Sequence, residues 1–215
     1  MWFAFIIALS YLPLLIYAAL GVDVSSSVSK ANWQCIKNAG YDIAVIRAYQ
    51  SLGKPDPNAV ATIKNAHDGG IGTVDVYMFP CPKCAKNAVV QASELVDNLD
   101  KAGARYRTIW IDVEGTQYWH PSQTDNREFI TSVANTLKAR GKRVGVYASK
   151  SQWDPIVGNW DGMKSYPLWY PHYDNDKSFN DFKPFGGWTK PYMKQFKGTT
   201  TLCSSGVDLN YLPSI

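Results

Sequence analysis

Two carboxylates stand two positions apart near the end of an apolar run, Asp112 and Glu114 in Ile-Trp-Ile-Asp-Val-Glu. In an extended strand, residues two apart point to the same face. Acidic side chains are rarely buried without partners, and two on one face repel each other, which separates their pKa values. One carboxyl then stays protonated while the other is ionised, a pairing that hydrolysis of a glycosidic bond uses. We therefore expect an enzyme, with glycosidic hydrolysis as the first reaction to consider.

Two further acidic residues, Asp23 and Asp208, fall at or near the ends of the first and the last predicted strands. These strands are neighbours in a closed barrel, so closure would bring Asp23 and Asp208 towards the central pair. The alternative is that each acid caps a loop or pairs with Arg47, which stands inside another predicted strand. For Arg47 itself we favour a buried salt bridge.

The elements that must position these acids alternate between short β-branched runs and helix-patterned segments that end at glycine. The predicted strands cover 22–24, 42–49, 73–79, 106–114, 143–148, 168–170, 193–196 and 207–209, and the predicted helices 29–39, 58–68, 86–101, 124–140 and 149–157. Such alternation favours a parallel sheet. Eight strands in about 195 residues predict an α/β fold, a modified TIM-like β/α barrel with reduced later helices, since a full barrel needs about 250 residues. A doubly wound open sheet is the alternative.

The first 20 residues contain no charged side chain. We interpret residues 1–20 as a secretory signal peptide that is cleaved between Ala18 and Gly21, and residues 21–215 as a single domain. An uncleaved membrane anchor is the alternative, because about 20 apolar residues can span a bilayer. A cleaved leader predicts a protein that is secreted or delivered to a lysosome-like or phagocytic vacuole, with no membrane attachment afterwards.

Charge and cysteine content narrow the choice of partners. The chain has 22 basic and 18 acidic side chains, a net charge of +4. This small excess, without a basic run, favours anionic polymers and argues against nucleic acid. Four cysteines in an oxidising compartment suggest two disulfides. We favour Cys81–Cys84 and Cys35–Cys203, while other pairings stay open. No phosphate loop or metal-ligand spacing occurs, so we expect no metal or cofactor.

Three blocks carry a family resemblance: Gly-Val-Asp-Val-Ser at 21–25, Ile-Asp-Val-Glu at 111–114 and Gly-Val-Asp-Leu-Asn at 206–210. Together they resemble glycoside hydrolase family 25, the Chalaropsis-type lysozymes, over essentially the whole mature chain. Segments 75–82, 114–119, 167–170 and 185–188 look most similar to the nematode and amoeba members. The resemblance implies cleavage of the β-1,4 bond between N-acetylmuramic acid and N-acetylglucosamine in bacterial peptidoglycan. It also implies five regular β/α units followed by three barrel strands with less helix.

The resemblance further implies roles for the four acids. It assigns the catalytic acid to Glu114 and adds Asp112, Asp23 and Asp208 to the site. The 2-acetamido group of the substrate could itself attack the anomeric carbon, in which case Asp112 would orient that group instead of acting as the nucleophile. Five aromatic residues near strand ends or in late loops are candidates for sugar stacking, with core packing as the alternative: Tyr77, Tyr147, Trp169, Tyr173 and Trp188.

Two other functions compete with this interpretation. A family 18 chitinase also has Asp-x-Glu on a barrel strand, but its signature needs acids upstream, where this chain has Arg107 and Trp110. A non-catalytic lectin for peptidoglycan or chitin has no need for paired acids. We expect a monomer that acts on peptidoglycan glycan strands. The block Lys194-Gln195-Phe196 replaces a frequent Trp-Gln-Tyr of the family, which makes the sugar contacts harder to predict.

Overall fold

The computed structural model describes residues 18–213, so residues 1–17 of the predicted leader and residues 214–215 lie outside it. Strands β1 to β9 are Ala19–Val24, Tyr41–Gln50, Lys54–Pro55, Thr73–Met78, Thr108–Asp112, Arg143–Tyr147, Leu168–Pro171, Met193–Leu202 and Ser205–Leu212. Helices α1 to α5 are Lys30–Asn38, Ala59–Asp68, Ala88–Lys101, Gln123–Ala139 and Lys150–Val157, and a 3-10 turn covers Thr116–Tyr118. Among residues 18–213, no helix has the length and apolar character required to cross a bilayer.

Eight strands close into a barrel, as the alternation of elements predicts. Their order around the barrel is β1, β2, β4, β5, β6, β7, β8 and β9, and β1 pairs with both β2 and β9. The ninth strand, β3, is a two-residue extension that pairs with β2 outside the closed ring. It was not predicted, because two residues are too few to show an alternating pattern.

The barrel has two halves of different construction. In residues 19–157, which we call the helical half, the barrel strands β1, β2, β4, β5 and β6 are each followed by one of the five helices. In residues 158–212, the helix-poor half, strands β7, β8 and β9 have no helix between them. The predicted arrangement of five regular units followed by three strands with reduced helix is confirmed.

Strand β9 runs antiparallel to both of its neighbours, β1 and β8. The connection between β8 and β9 contains only Cys203 and Ser204, whereas a parallel pair needs a crossover of about a dozen residues or more. The expectation of an all-parallel sheet is therefore wrong for β9. Because β9 enters the barrel at the rim where the parallel strands end, Asp208 near its beginning pairs in register with Asp23 near the end of β1.

Two apolar layers hold the barrel together. The interior is filled by a cluster of Ile43, Val45, Trp110, Tyr147, Trp169, Met193 and Leu212. A Cβ atom on Gly145 would lie 2.3 Å from the ring of Trp110, so the neighbouring strand must carry glycine there. The second layer lies between the barrel and its helices, whose buried faces include Ile63, Leu95 and Ile130. Amphipathic helices of this kind gain most of their stability from that buried face.

Two disulfides are present, and both are the pairs favoured from the sequence. Cys81–Cys84 closes a short loop after β4. Cys35–Cys203 joins α1 to the turn between β8 and β9 across a sequence separation of 168 residues. This second bond therefore links the helical half directly to the helix-poor half.

Candidate active site

The predicted acid pair lies where β5 leaves the barrel. β5 ends at Asp112, two residues earlier than expected, so Glu114 follows the strand instead of sharing its face. The turn is made at Gly115, which has a left-handed φ of 67° and donates its N–H to the Gln152 side chain at 2.8 Å. The indole N–H of Trp119 donates to the Glu114 carbonyl at 2.8 Å. These bonds fix the backbone of Glu114, and both carboxyls line the same cavity.

This cavity lies at the rim where the parallel strands end and has a volume of about 90 Å³. It is lined by Asp23, Tyr77, Asp112, Glu114, Tyr147, Trp169, Tyr173, Gln195 and Asp208. All four predicted acids are among these residues. The cavity adjoins a polar groove of about 340 Å³, with which it shares Asp23, Tyr77 and Asp208 and whose other lining includes Ser25, Ser26 and Thr199–Thr201. A small acidic cavity thus opens into a longer polar groove.

Four of the five predicted aromatic residues line the cavity, and Trp188 does not. Trp188 is buried, with its ring centroid 4.9 Å from that of Trp153, and its indole N–H donates to the Tyr166 carbonyl. It lines a different depression, of about 620 Å³, at the opposite end of the barrel, beside Pro167 and Tyr192. The structure therefore does not bring Trp188 to the acid-lined cavity, because Trp188 precedes β8 and lies near the beginning of that strand.

Trp169 forms part of the cavity floor. Its ring centroid lies 4.6 Å from that of Tyr147 and 6.3 Å from that of Tyr77, both in edge-to-face contact. Its indole N–H donates to Asn210 at 2.8 Å, and only 2% of the residue is exposed. Tyr173, in contrast, is 57% exposed. Tyr173 is therefore the most accessible aromatic residue of the cavity, while the buried Trp169 packs against Tyr77 and Tyr147.

Two buried amide residues complete the site, and sequence reasoning did not identify either. Gln195 on β8 donates to Asp23 at 2.8 Å and to Asp208 at 3.3 Å. Its amide oxygen accepts hydrogen bonds from the hydroxyls of Tyr147 at 2.7 Å and Tyr173 at 2.8 Å. Gln195 therefore connects two acids with two tyrosines.

Asn210 is the second amide. It donates to the same Asp23 oxygen at 2.7 Å and accepts from Trp169. No local signal distinguishes either amide, since the same two strands also carry the polar residues Lys194 and Asp208. Their burial in the structure is explained by these hydrogen bonds.

Burial and mutual repulsion raise the pKa of every acid in the cavity. Burial, and then repulsion from Asp208, raise the pKa of Asp23 from 3.8 to about 7, although hydrogen bonds from Asn210 and Gln195 lower it. Burial, and then the charges of Glu114 and Asp23, hold the pKa of Asp112 well above its usual value. Both Asp23 and Asp112 are less than a tenth exposed. These two acids therefore bind protons far more tightly than exposed carboxyls do.

The other two acids are partly exposed. Burial, and then repulsion from Asp208, raise the pKa of Glu114. Burial also raises the pKa of Asp208, against the lowering effect of the Thr199 N–H that donates to it at 2.6 Å. Glu114 therefore faces two carboxyls, Asp208 and its strand neighbour Asp112, whose own pKa the charge of Glu114 raises. Glu114 combines a raised pKa with partial exposure in the cavity, which are the requirements for a general acid.

No basic side chain neutralises this cluster. Among the described residues, none of the four acids forms a salt bridge, although elsewhere in residues 18–213 thirteen such contacts occur. Arg47 pairs instead with Asp56 at 2.7 Å and donates to the Ser25 carbonyl. The salt bridge favoured for Arg47 is confirmed, and the alternative that it pairs with Asp23 or Asp208 is wrong. The arrangement is costly for stability, and it can keep a carboxylic acid protonated near neutral pH.

Comparisons with known proteins identify the family. The family model described as lysozyme-like protein 1 matches residues 16–196. A relative from Dictyostelium discoideum, named probable GH family 25 lysozyme 2, is 48% identical over 210 residues, which cover 98% of each chain. The chain belongs to glycoside hydrolase family 25. The resemblance predicted from the three sequence blocks is confirmed.

Two other proteins are similar to this chain over most of its length. Lysozyme-like protein 5 of Caenorhabditis elegans is 39% identical over 213 residues, which cover 97% of this chain and 98% of the relative. The crystal structure of the bacterial lysozyme from Streptomyces coelicolor superposes with a TM-score of 0.72 at 26% identity, covering 90% of this chain and 91% of that one. As a member of glycoside hydrolase family 25, the chain is a glycoside hydrolase with the fold of that family.

Proposed function

We propose that this family 25 enzyme is a lysozyme that hydrolyses the β-1,4 bond between N-acetylmuramic acid and N-acetylglucosamine in bacterial peptidoglycan. The observation that carries the proposal is the cluster of four acids without a counter-charge, at a barrel rim that opens into a polar groove. Hydrogen-bonding side chains such as Ser25, Ser26 and Thr199–Thr201 suit a polymer rich in hydroxyl and amide groups. The modest positive net charge of +4 favours an anionic cell wall over neutral chitin.

Glu114 is the proposed general acid. Its proton passes to the glycosidic oxygen as the bond from that oxygen to the anomeric carbon breaks. The carbonyl oxygen of the substrate's 2-acetamido group attacks the same carbon and forms a cyclic intermediate. Glu114, now ionised, then takes a proton from a water molecule that attacks the anomeric carbon and opens this intermediate. The raised pKa of Glu114 keeps the proton available at the start of the cycle.

Asp112 is the proposed partner of the acetamido group. Its Oδ1 atom is buried and has no hydrogen-bond partner among the described residues. An unpaired buried carboxyl oxygen costs free energy until a ligand supplies the missing partner. The N–H of the acetamido group is such a donor. If Asp112 releases its proton to water when this bond forms, its carboxylate stabilises the positive charge that develops on the group. The alternative, that Asp112 is a nucleophile, predicts a covalent sugar adduct on Asp112, which mass spectrometry of a trapped reaction would detect.

The remaining residues of the cavity support these roles. Asp23 and Asp208 adjust the charge around Glu114, and repulsion from Asp208 helps to raise its pKa. Tyr173 offers its exposed ring to a sugar, while Tyr77, Tyr147 and Trp169 shape the floor beneath it. Residue types of this kind bind sugars through stacking on the apolar ring face and hydrogen bonds to hydroxyls.

The experiment measures reducing ends released from purified peptidoglycan and from chitin. We expect the wild-type enzyme to release them from peptidoglycan, and Glu114→Gln to lower kcat by about 10²–10⁴-fold, the usual contribution of a general acid. Glu128→Gln is the matched control, because Glu128 lies exposed on α4. Release from chitin alone would favour a chitinase, and binding without release a lectin. A fully active Glu114→Gln enzyme would refute the role of Glu114.

We also propose that the chain follows the secretory route, to the medium or a lysosome-like vacuole, after cleavage between Ala18 and Gly21. The two disulfides support an oxidising compartment. N-terminal sequencing of the mature protein tests the cleavage site. β1 begins at Ala19, so cleavage after Leu20 would remove two of its paired residues. We propose that the protein is a monomer, which light scattering tests. We also propose that it works without a cofactor, which is tested by measuring its activity in the presence of a metal chelator.

A further inference from the structure

Lys194 is a lysine on β8 whose side chain is completely buried. Its two neighbours in the strand face the inside of the barrel, since Met193 belongs to the interior cluster and Gln195 reaches Asp23. Because side chains alternate along a strand, Lys194 points to the outer face of the barrel. In the helical half a helix covers that face. Over β8 the cover is residues 172–192, which contain no helix and which we call the 172–192 segment.

The ammonium group of Lys194 binds two acids of this segment. Its Nζ lies 2.7 Å from Asp174 Oδ2 and 2.8 Å from Asp181 Oδ1. Asp181 also accepts hydrogen bonds from the Tyr170 hydroxyl at 3.1 Å and contacts the His172 ring at 2.5 Å. A buried ammonium is stable only when it is paired, and removal of one partner of such a pair is strongly unfavourable. Lys194 therefore fastens the segment to β8 at two points.

The same acids could be mistaken for a metal site. Within residues 18–213, His172, Asp174 and Asp181 bring their ligand atoms within 4.8 Å of one another. The Lys194 ammonium, however, already contacts both carboxylates. It provides the positive charge that a cation would otherwise provide, so the cluster is explained by the lysine.

Tyr173 lies between the fastened positions. Before Tyr173 in the chain, the backbone N–H of His172 donates to the backbone carbonyl of Gln195 at 2.9 Å. After it, Asp174 pairs with Lys194. A Cβ atom on Gly198 would lie 2.9 Å from the Tyr173 ring, so the ring packs directly over the β8 backbone at this glycine. The Tyr173 hydroxyl then donates to the amide oxygen of Gln195.

The position of Tyr173 affects the acids through Gln195. With the Tyr147 and Tyr173 hydroxyls both donating to its amide oxygen, the amide nitrogen of Gln195 must face Asp23 and Asp208. A displaced Tyr173 would remove one of the two bonds that set this orientation. It would also remove the exposed ring from the cavity.

We propose that Lys194 is a positioning residue, which holds the 172–192 segment so that Tyr173 presents its ring to an N-acetylated sugar and keeps Gln195 oriented. The proposal rests on the proposed lysozyme function for its sugar ligand. It also explains how a segment without a helix supplies a fixed contact to the site.

The test compares Lys194→Met, Tyr173→Ala and the double variant on soluble peptidoglycan fragments. We expect each single variant to raise KM by about tenfold, because the sugar loses the Tyr173 ring, and to lower kcat by only about twofold to tenfold, because Gln195 loses one of its two orienting hydrogen bonds and keeps that from Tyr147. In the double variant, Lys194→Met should add less than about twofold to the effect of Tyr173→Ala, because both changes remove the same contact. Lys142→Met is the matched control, since Lys142 pairs with Asp100 at the other end of the barrel.

Two further measurements distinguish a loss of positioning from a loss of activity or of folding. Trypsin should cut after the exposed Lys177 faster in Lys194→Met than in Lys142→Met, a readout that needs no activity. Asp174→Asn, at the more exposed acid, should show a smaller rise in KM if Lys194→Met does not fold. An unchanged KM in Lys194→Met, or fully additive effects in the double variant, would overturn the proposal. A wild-type enzyme that releases no reducing ends overturns the lysozyme function, while faster cleavage at Lys177 would still support the positioning role.

Discussion

The two halves of the barrel reach the same closed sheet by different means. In the helical half, apolar helix faces such as those of Ile63, Leu95 and Ile130 cover the strands. In the helix-poor half, the 172–192 segment contains buried aromatic residues such as Phe185 and Trp188, and the ion pairs of Lys194 fasten it to β8. Apolar packing depends on matching shapes, whereas ion pairs also fix the positions of particular atoms. The comparison shows that a segment without a helix can still be held in a defined position beside the cavity.

The candidate active site contains residues from both halves of the barrel. The helical half contributes Asp23, Asp112 and Glu114, while the helix-poor half contributes Tyr173, Gln195 and Asp208. The acid pair therefore comes from the regular units, and the contacts that adjust its charge come mostly from the irregular ones. Three predictions test this division, beginning with the largest expected effect.

Removal of the bond between the halves should cost more stability than removal of the local one. In the chain-entropy account, Cys35→Ser with Cys203→Ser costs about 5 kcal/mol of unfolding free energy, and Cys81→Ser with Cys84→Ser about 2 kcal/mol, because the first bond closes a far longer loop. Urea unfolding followed by circular dichroism measures both. Equal losses would mean that the two halves are held together by their packing and gain little from the Cys35–Cys203 bond.

Replacement of a buried glutamine should affect catalysis in one half and only stability in the other. Gln195→Leu removes the bonds to Asp23 and to two tyrosines, so we expect kcat to fall by about 10²-fold, as for other oriented polar groups of active sites. Gln91 is the matched control, since it is fully buried on α3 and binds the backbone of Cys81 and Lys86. Gln91→Leu should lower the melting temperature and leave kcat unchanged. Similar kcat losses in both variants would contradict the division.

The raised pKa of Asp23 should appear as a pH dependence of stability. The folded protein holds this proton up to about pH 7, while the unfolded chain releases it near 3.8. Asp23 therefore costs no stability below pH 4, lowers the stability progressively between pH 4 and 7, and has a constant effect above that range. Asp23→Asn should match the wild type at pH 4 and melt about 8–16 °C higher at pH 8, because this pKa difference corresponds to about 4 kcal/mol and each kcal/mol to about 2–4 °C.

The exposed Asp176→Asn provides the control for that experiment and should show no such pH-dependent gain. A gain for Asp23→Asn of the same size at both pH values would contradict the assigned pKa. Because Asp208 is the largest charge acting on Asp23, the result also measures how strongly the helix-poor half acts on the helical half.

Some features were predictable because local pattern determines them. Apolar periodicity and glycine-ended helices predicted the barrel, its reduced later helices and the approximate strand positions, and the family resemblance added the five regular units. The acids at strand ends predicted four members of the cavity. The prediction was wrong where the pattern was short or where direction depended on a distant partner: two-residue β3, antiparallel β9 and the place of Trp188. Gln195 and Asn210 were missed because nothing local distinguishes a buried amide in a site from one at a surface.

By itself, the sequence determined the order of the elements, the four acids at the cavity rim and the family, because strand periodicity and short motifs are local properties of the chain. Only the tertiary structure decided which groups act on one another. It showed that Asp208 also repels Glu114, that Arg47 pairs with Asp56, and that Lys194 contacts the segment that carries Tyr173. Charge interactions and burial depend on distances in space, and residues far apart in the chain become neighbours only when the barrel closes.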